Sequence, residues 1–512
     1  MFFRNAITPT GMFVFANIAF SFLFNSAFGY GLAVVYSLFT SILLFTFKSQ
    51  ITYSVVCMSG AIIAALYCPI GLTFGPPDLN AMTSMTYTDK TETIEFLLSI
   101  SIWKWLISLS IILMGISCSL LKSKTSFVVP RILSIVSFIT FFSMPIKAAY
   151  NDSTFSPLDS HYPPIRFVSD AFSAYKQVNA DKEFYEQNVK MSDEWISNTN
   201  DHTYDTLIIF IGESVRRDFM SAYGFPVNNT PFMQSAPGIT FTNYISSGPA
   251  TVLSLTHSLY RVKNGLIEYN NSIVRLLSRN GYYTSWISNQ GVFGSADSPV
   301  SLAGKQADDY HFVKNGSSNK FLYSPDDKML PLLSEALARK GKKAIFVHLM
   351  GSHPVACVRT NDHYDTFYRS KEVSCYVQSI KNTDALISNV YEMLRKGSDT
   401  WAMVYFADHG LKVVDKGTVE ERFQHADQYQ NNYDVPMFLT TSDMAEKKTI
   451  SAPRSGFELI PLITQLVGIN EPSTYVNCNL ISDEICNDER MVLKKDGTLI
   501  PYSSLPREEA LL

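Results

Sequence analysis

Residues 5–47 contain no charged side chain. A stretch of that length has no polar face to offer water, and a bilayer span needs only about 20 mostly apolar residues. Asn25 to Gly31 interrupts the run, which divides it into spans at about 12–28 and 30–47. Further spans are expected at about 51–72, 98–121 and 126–148. A cleaved leader has one apolar core behind a basic start. Here the apolar pattern recurs five times, with little positive charge in front of it. Residues 1–150 are therefore expected to form a transmembrane domain of five helices.

Charge divides the chain at the same place. Residues 1–150 hold eight of the 42 Lys/Arg, four of the 46 Asp/Glu and none of the nine histidines. The remainder keeps 34 basic and 42 acidic residues, so the front is near +4 and the back near −8. No nucleic-acid partner is expected of such a chain, and no obligate protein partner. Arg4, Lys48, Lys122 and Lys124 fall at span ends on one side, whereas the loop at about 73–97 sets Asp78, Asp89, Glu92 and Glu95 against Lys90 alone. Basic residues stay on the cytoplasmic side. Five spans then carry residues 151–512 across, which in a bacterium means a multi-pass inner-membrane protein with its polar part in the periplasm.

Cysteine usage fits an oxidising compartment. Cys57, Cys68 and Cys118 lie in spans and read as small apolar fillers. Cys357, Cys375, Cys478 and Cys486 form an even set in the outer part, which points to two disulfides. Pairing 357–375 and 478–486 is the local choice, although sequence alone does not fix it.

Residues 151–204 read as a polar connector at the membrane surface, with Pro157, Pro163 and Pro164 followed by a charged, weakly helical stretch. From 205 to 512 the pattern is that of an α/β domain with a mostly parallel central sheet. "TLIIFIG" (206–212), "YYTSWIS" (282–288), "KAIFVHLMG" (343–351), "WAMVYFA" (401–407) and "VPMFLTT" (435–441) read as buried strands. Residues 330–341 and 377–397 read as helices, the second with an apolar face and Gly397 as its stop.

Ligands of open α/β sheets bind beyond the carboxyl ends of the strands. Three expected strands deliver Glu213, His353 and the pair Asp408/His409 to that edge. Alone, each has an ordinary explanation: Glu213 suits the first turn of a helix, His353 a loop and Asp408 a turn. Together, two carboxylates and an imidazole repel and desolvate one another unless a cation joins them. Mixed O/N ligation suits zinc, with manganese as the other candidate. A reacting hydroxyl is offered by "SSGPATVLSLTHSLYR" (246–261), where a Gly-Pro turn opens a helix. Exposed N–H groups at such a start stabilise an incoming phosphate. A metal lowers the hydroxyl pKa. On these grounds Thr251 and Ser254 are equal candidates.

The motifs "IGESVRRDFMSAYGFPVNNTPFM" (211–233), "GPATVLS" (248–254), "HLMGSH" (348–353), "NTD" (382–384) and "ADHG" (407–410) resemble those of the phosphoethanolamine transferases of Gram-negative envelopes. That group belongs to the alkaline phosphatase/sulfatase superfamily. The resemblance covers nearly the whole chain. It implies Glu213, Thr251, Asp408 and His409 as zinc ligands, Thr251 as nucleophile, and His353 and His425 near the substrate phosphate or a second metal. It further implies phosphatidylethanolamine as donor and an envelope glycan or glycolipid (lipid A, core sugar or periplasmic glucan) as acceptor. Asn289 and Arg216 are weaker candidates for substrate contact.

Two departures stand out. Ser247 and His257 occupy places where colistin-type members have a disulfide, and "WISNQGVFGSAD" (286–297) lacks the lysine they carry after the strand end. Phosphoglycerol transferases and phosphatase- or sulfatase-type hydrolases share the same metal core and differ in donor. A non-catalytic sensor or binding protein is disfavoured by the intact Glu213/Thr251/Asp408/His409 set. A transporter is disfavoured because most spans lack charged pairs.

Overall fold

The computed structural model describes every residue except 1–7, 88–92, 95–96, 98–99, 123–130, 153–160, 200–203, 293–297, 316–323, 488 and 509–512. Arg4, Asp89, Lys90, Glu92, Glu95 and Lys124, which bear on membrane orientation, lie outside the described residues. The chain divides into two compact units, Met1–Met82 with Leu97–Asn179 and Thr83–Phe96 with Ala180–Leu512.

A helix occupies each of the five stretches where a span was expected: α1 (Pro9–Ser26), α2 (Val34–Thr46), α3 (Gln50–Phe74), α5 (Ile102–Lys122) and α6 (Arg131–Asp152). A short helix, α4 (Leu79–Tyr87), falls within the expected loop. Among the described residues, α3 and α5 are long and apolar enough to cross a membrane; α2, at 13 residues, is shorter than a span requires.

Burial in the first unit is inverted relative to a water-soluble bundle. Ile51 and Leu66 are 78% and 74% exposed, whereas Asn17 and Asn25 are fully buried. Asn17 donates to the Tyr53 hydroxyl (2.9 Å) and accepts from Ser41 Oγ (2.7 Å), and Asn25 donates to Thr40 Oγ1 (2.9 Å). Outward apolar faces with inward, mutually bonded polar groups are what a lipid solvent demands. Small residues allow α3 and α5 to approach closely: a Cβ on Gly115 would stand 2.8 Å from the Ala61 Cβ. Cys57, Cys68 and Cys118 are buried free thiols, as expected of fillers.

The stretch read as a connector contains a 26-residue helix, α7 (Pro163–Asn188). Within the first unit its Phe167 ring lies 5.0 Å from that of Phe28. Within the second, its Tyr185 ring lies 5.1 Å from that of Tyr269.

The second unit is built on eight strands: β1 (Thr206–Gly212), β2 (Gly238–Phe241), β3 (Tyr283–Val292), β4 (Asp309–Asn315), β5 (Lys343–His348), β6 (Trp401–Ala407), β7 (Met437–Thr441) and β8 (Lys447–Ile450). Their order in the sheet is β8-β2-β7-β6-β1-β5-β3-β4. The sheet is mixed but mostly parallel: β7 pairs antiparallel with β6 and β2, and every other neighbouring pair is parallel. All seven residues of β1 and of β6 are buried. Helices α8 (Thr251–Leu259), α9 (Leu330–Ala338), α10 (Lys371–Lys396) and α11 (Leu459–Leu466) belong to the same unit. Ser370 caps α10 by accepting from the Val373 amide (3.1 Å), and Val373, Val377, Ile380, Ile387, Val390 and Leu394 form its buried face. Arg395 and Lys396 complement its carboxyl end before Gly397. Two disulfides close locally, Cys357–Cys375 and Cys478–Cys486.

Candidate active site

Strands β1 and β6 lie side by side and parallel, with Gly212 opposite Ala407. Their ends are therefore level, and the next residues leave the sheet together. Glu213 follows β1, and Asp408 and His409 follow β6. Two glycines make the close packing possible. A Cβ on Gly212 would meet the Tyr405 ring at 2.8 Å, and one on Gly351 (φ +50°) would press on the Glu213 backbone at 3.1 Å. Ser214 adopts a positive φ of 60°, a strained conformation for a side-chain-bearing residue. That turn lets its amide donate to Asp408 Oδ1 (2.9 Å) while its hydroxyl donates to Glu213 Oε1 (2.5 Å).

Thr251 is the first residue of α8, with Ala250 in extended conformation before it. Its Oγ1 donates to Glu213 Oε2 (3.1 Å) and stands 3.4 Å from His409 Nε2. His409 Nε2 also lies 3.5 Å from Glu213 Oε1 and 3.5 Å from Asp408 Oδ2. Ligand atoms of Glu213, Asp408 and His409 all fall within 4.8 Å of one another, with each residue buried. Ser254, the other hydroxyl candidate, is 1% exposed and donates to the Asp408 carbonyl (2.5 Å). It ties α8 to the loop after β6.

The donor set fits a divalent cation. Asp408 Oδ1 is taken by the Ser214 and His409 amides, whereas Oδ2 is buried without a hydrogen-bond partner. His409 Nδ1 is pinned 2.9 Å from the Gly410 carbonyl, which leaves Nε2 facing the carboxylates. An orphaned carboxylate oxygen and a fixed imidazole aimed at one point make the arrangement that metal ligation needs. The electrostatics agree. Burial, then the Glu213 charge, push the Asp408 carboxyl up to about 7. Burial pulls on His409 the other way, but the Asp408 and Glu213 charges outweigh it and raise the imidazole to about 9. Burial opposes ionisation of Glu213, yet His409 and His353 hold it well below the usual carboxylate range.

His353 and His425 join this cluster. The His425 ring lies 4.9 Å from that of His409 and 5.9 Å from that of His353. His353 Nδ1 sits 2.6 Å from the Pro354 carbonyl, and burial lowers this imidazole to about 4. Burial and the neighbouring imidazoles lower His425 well below its ordinary value, and its Nδ1 has no hydrogen-bond partner.

Asn289 and Arg216 are placed differently from the expectation of substrate contact. Asn289 Nδ2 donates to the Ser324 carbonyl (2.8 Å) and Asp326 Oδ1 (2.7 Å), and Asp326 receives the Met350 and Gly351 amides. Asn289 thus props the loop that approaches Glu213. The Arg216 guanidinium, 1% exposed, is committed to Asp218, Glu508 and the Leu411 carbonyl, so it holds the fold rather than offering donors to phosphate. Asp384 of the "NTD" stretch accepts from the Phe232 and Met233 amides and caps a short helix. Ser247, at one of the two places where colistin-type members have a disulfide, shares hydroxyl contacts with Ser254 and Ser258.

Sequence reasoning missed Gln290. Its amide bridges Glu213 Oε2 (3.0 Å) and the Leu349 carbonyl (2.9 Å), joining a proposed ligand to the end of β5. Nothing in the local pattern marks it, since its role depends on two other strands.

A sulfatase family model matches residues 205–469. The phosphoethanolamine transferase OpgE of Escherichia coli K12 is 31% identical over 472 residues, covering 91% of this chain and 90% of that protein. The phosphoethanolamine transferase EptC of the same organism is 26% identical over 337 residues, 59% of this chain and 58% of its own. Among solved structures, the integral membrane lipooligosaccharide phosphoethanolamine transferase A of Neisseria meningitidis superposes with a TM-score of 0.59 at 16% identity, covering 91% of this chain and 97% of that one. The periplasmic domain of Escherichia coli EptC in complex with Zn gives 0.53 at 21% identity, covering 61% and 96%. At those identities the structural likeness concerns the fold, while the sequence match to OpgE spans both units. With the family model covering the catalytic unit and that relative covering nearly the whole chain, the protein belongs to the phosphoethanolamine transferases of the sulfatase superfamily.

Proposed function

We propose that this protein transfers phosphoethanolamine from phosphatidylethanolamine to an envelope glycan or glycolipid through a phosphorylated Thr251. The observation that carries the reading is Thr251 Oγ1 at the amino end of α8, 3.1 Å from Glu213 and 3.4 Å from His409. Five spans would make it a multi-pass inner-membrane protein, with the catalytic unit in the periplasm beside its lipid donor.

Glu213, Thr251, Asp408 and His409 would hold zinc, which when bound favours the ionised hydroxyl and offsets negative charge at phosphorus. Thr251 Oγ1 attacks the donor phosphorus in line, and its proton has an acceptor in Glu213 Oε2. The P–O bond to diacylglycerol breaks, and that proton balances the departing alkoxide. Amides at the start of α8 face the phosphoryl oxygens. In the second half-reaction an acceptor hydroxyl attacks the phosphothreonine. The His425 ring lies against His409 and the His353 ring against His425, which places either imidazole to take the proton of that hydroxyl. The P–O bond to Thr251 then breaks and the threonine oxygen regains a proton.

The test compares wild type with Thr251→Ala in one host, by mass spectrometry of envelope lipids and glycans. Wild type is expected to produce diacylglycerol and a phosphoethanolamine adduct that Thr251→Ala lacks. Identical diacylglycerol in the two strains, with no adduct in either, ends the proposal. A phosphoglycerol adduct would reassign the donor.

A further inference from the structure

Near its end the chain forms a hairpin from Met491–Leu493 and Leu499–Pro501. The Leu493 amide donates to the Ser247 carbonyl (2.8 Å), four residues before Thr251, and its carbonyl accepts from the Tyr433 hydroxyl (2.9 Å). The hairpin is thereby fastened to the segment that leads into the nucleophile. Its turn is tight: Lys494 N donates to the Thr498 carbonyl and Gly497, at φ +83°, returns a bond to Lys494. This places two lysines on the His425 segment. Lys494 Nζ pairs with Asp427 Oδ2 (3.3 Å), and the Lys495 amide donates to the same oxygen (3.1 Å). The half-buried Lys495 Nζ donates to the His425 carbonyl (3.2 Å), and its charge acts on the His425 imidazole.

The reaction brings more negative charge there than one divalent ion offsets. A phosphodiester brings one negative charge, and attack by an ionised hydroxyl adds another, into a cluster that already contains Glu213 and Asp408. Arg216 is spent on Asp218 and Glu508. Arg359 donates to the His353 carbonyl (3.2 Å) and lines, with Asp326 and Asp327, a cavity of about 260 Å³. An ammonium has three N–H donors in tetrahedral directions. Lys495 can keep its contact with His425 and still meet a phosphoryl oxygen, in the way a lysine serves as a point charge for phosphate.

We propose that Lys495 is the phosphate-contacting cation of this site, supplied by the carboxyl-terminal hairpin and not by the strand-end loop at 289–297. The proposal rests on the reading of the substrate as a phosphodiester. The test uses the full-length protein in detergent with phosphatidylethanolamine, read as diacylglycerol release, and with inorganic phosphate as inhibitor. Lys495→Met is expected to raise both the donor KM and the phosphate Ki by about tenfold, with melting temperature and zinc content unchanged. Lys495→Arg is expected to recover most of both, and Lys494→Met to stay within about twofold of wild type. Lys495→Met within about twofold of wild type in KM and Ki overturns the proposal, because a desolvated charge contact is worth more. A loss of activity that follows melting temperature, with phosphate Ki unmoved, also overturns it, since the lysine then only holds the hairpin. If wild type releases no Thr251-dependent diacylglycerol, the functional reading fails instead.

Discussion

Ser254→Ala separates the two hydroxyls that the sequence left equal. Ser254 Oγ donates to the Asp408 carbonyl at 2.5 Å, and its own carbonyl accepts from Ser247 (2.8 Å) and Ser258 (3.0 Å). Alanine leaves the latter two bonds, which end on the backbone. It removes the donor to Asp408 and a longer hydroxyl contact with Ser247 (3.4 Å). An acceptor left unsatisfied in a buried site costs about 1–3 kcal/mol. For a unit of this size a loss of 1 kcal/mol lowers Tm by about 2–4 °C, so a drop of roughly 2–12 °C is expected. The same bond fixes α8 against the loop that holds Asp408 and His409. Losing it loosens the distance from Thr251 to its ligands, and slackness on that scale is expected to lower kcat by about tenfold or more, with little change in KM. The assay is diacylglycerol release together with mass spectrometry of the trapped phosphoenzyme. The adduct should still map to Thr251 in Ser254→Ala, in reduced amount. If Ser254→Ala abolishes the adduct while Tm and zinc content hold, Ser254 is the nucleophile and the assignment of Thr251 is wrong.

Arg216→Met leaves the buried Glu508 carboxylate without its principal partner, which is expected to cost about 3–5 kcal/mol and to show as a lower Tm with an unchanged donor KM. A normal Tm with a raised KM would instead return Arg216 to the substrate. The Cys357–Cys375 bridge closes a separation of 18 residues that starts four residues past His353. Replacing both cysteines by alanine should cost about 3 kcal/mol by loop entropy, read as a shift in the urea midpoint. An unchanged midpoint would show that the Glu372 contacts to the Ala356 and Cys357 amides already hold this loop.

The legible part of this chain was the part whose role is written locally. β1, β5 and β6 are continuous apolar runs because the sheet buries both their faces, and their parallel pairing brings Glu213 level with Asp408 and His409. The strands that went unread are short or polar: "GITF" in β2, "DYHFVKN" in β4 and "KKTI" in β8. β4 and β8 are the sheet edges, where charged side chains are tolerated and no apolar run is required. Side chains whose partners lie far away in sequence were not legible. Arg216 was a weaker candidate for substrate contact, and the partner that holds it, Glu508, lies 292 residues away. Thr251 and Ser254 are separated by one helical turn, and it is the three-dimensional site that sends Thr251 Oγ1 to Glu213 and His409 and Ser254 Oγ to the Asp408 carbonyl. Gln290 acquires its role solely from the approach of β1 and β5.

The strongest consequence of the site concerns the cost of leaving it without a cation. Asp408 Oδ2 has no hydrogen-bond partner and lies beside a second carboxylate, at 1% exposure for both residues. Burying an uncompensated carboxylate is expensive, and a metal ion offsets that cost. Without metal, the fold retains protons instead: His409 is raised to about 9 and Asp408 to about 7, both above their values in an unfolded chain. Groups with raised pKa values stabilise the fold at low pH and lose that contribution as pH climbs through the folded values. The metal-free unit should therefore lose stability from these two groups between about pH 4 and about pH 9. Zinc binding has the opposite slope, because it requires the His409 Nε2 lone pair and the ionised Asp408, and so releases protons. At 1,000 times its Kd zinc adds about 4 kcal/mol. Chelation with EDTA should thus lower Tm more at about pH 8.5 than at about pH 6, and calorimetry in buffers of different ionisation enthalpy should detect about one to two protons released by His409 and Asp408 per zinc near neutrality. A chelation effect that is flat with pH, or zinc uptake without proton release, would mean that His409 and Asp408 are not ligands.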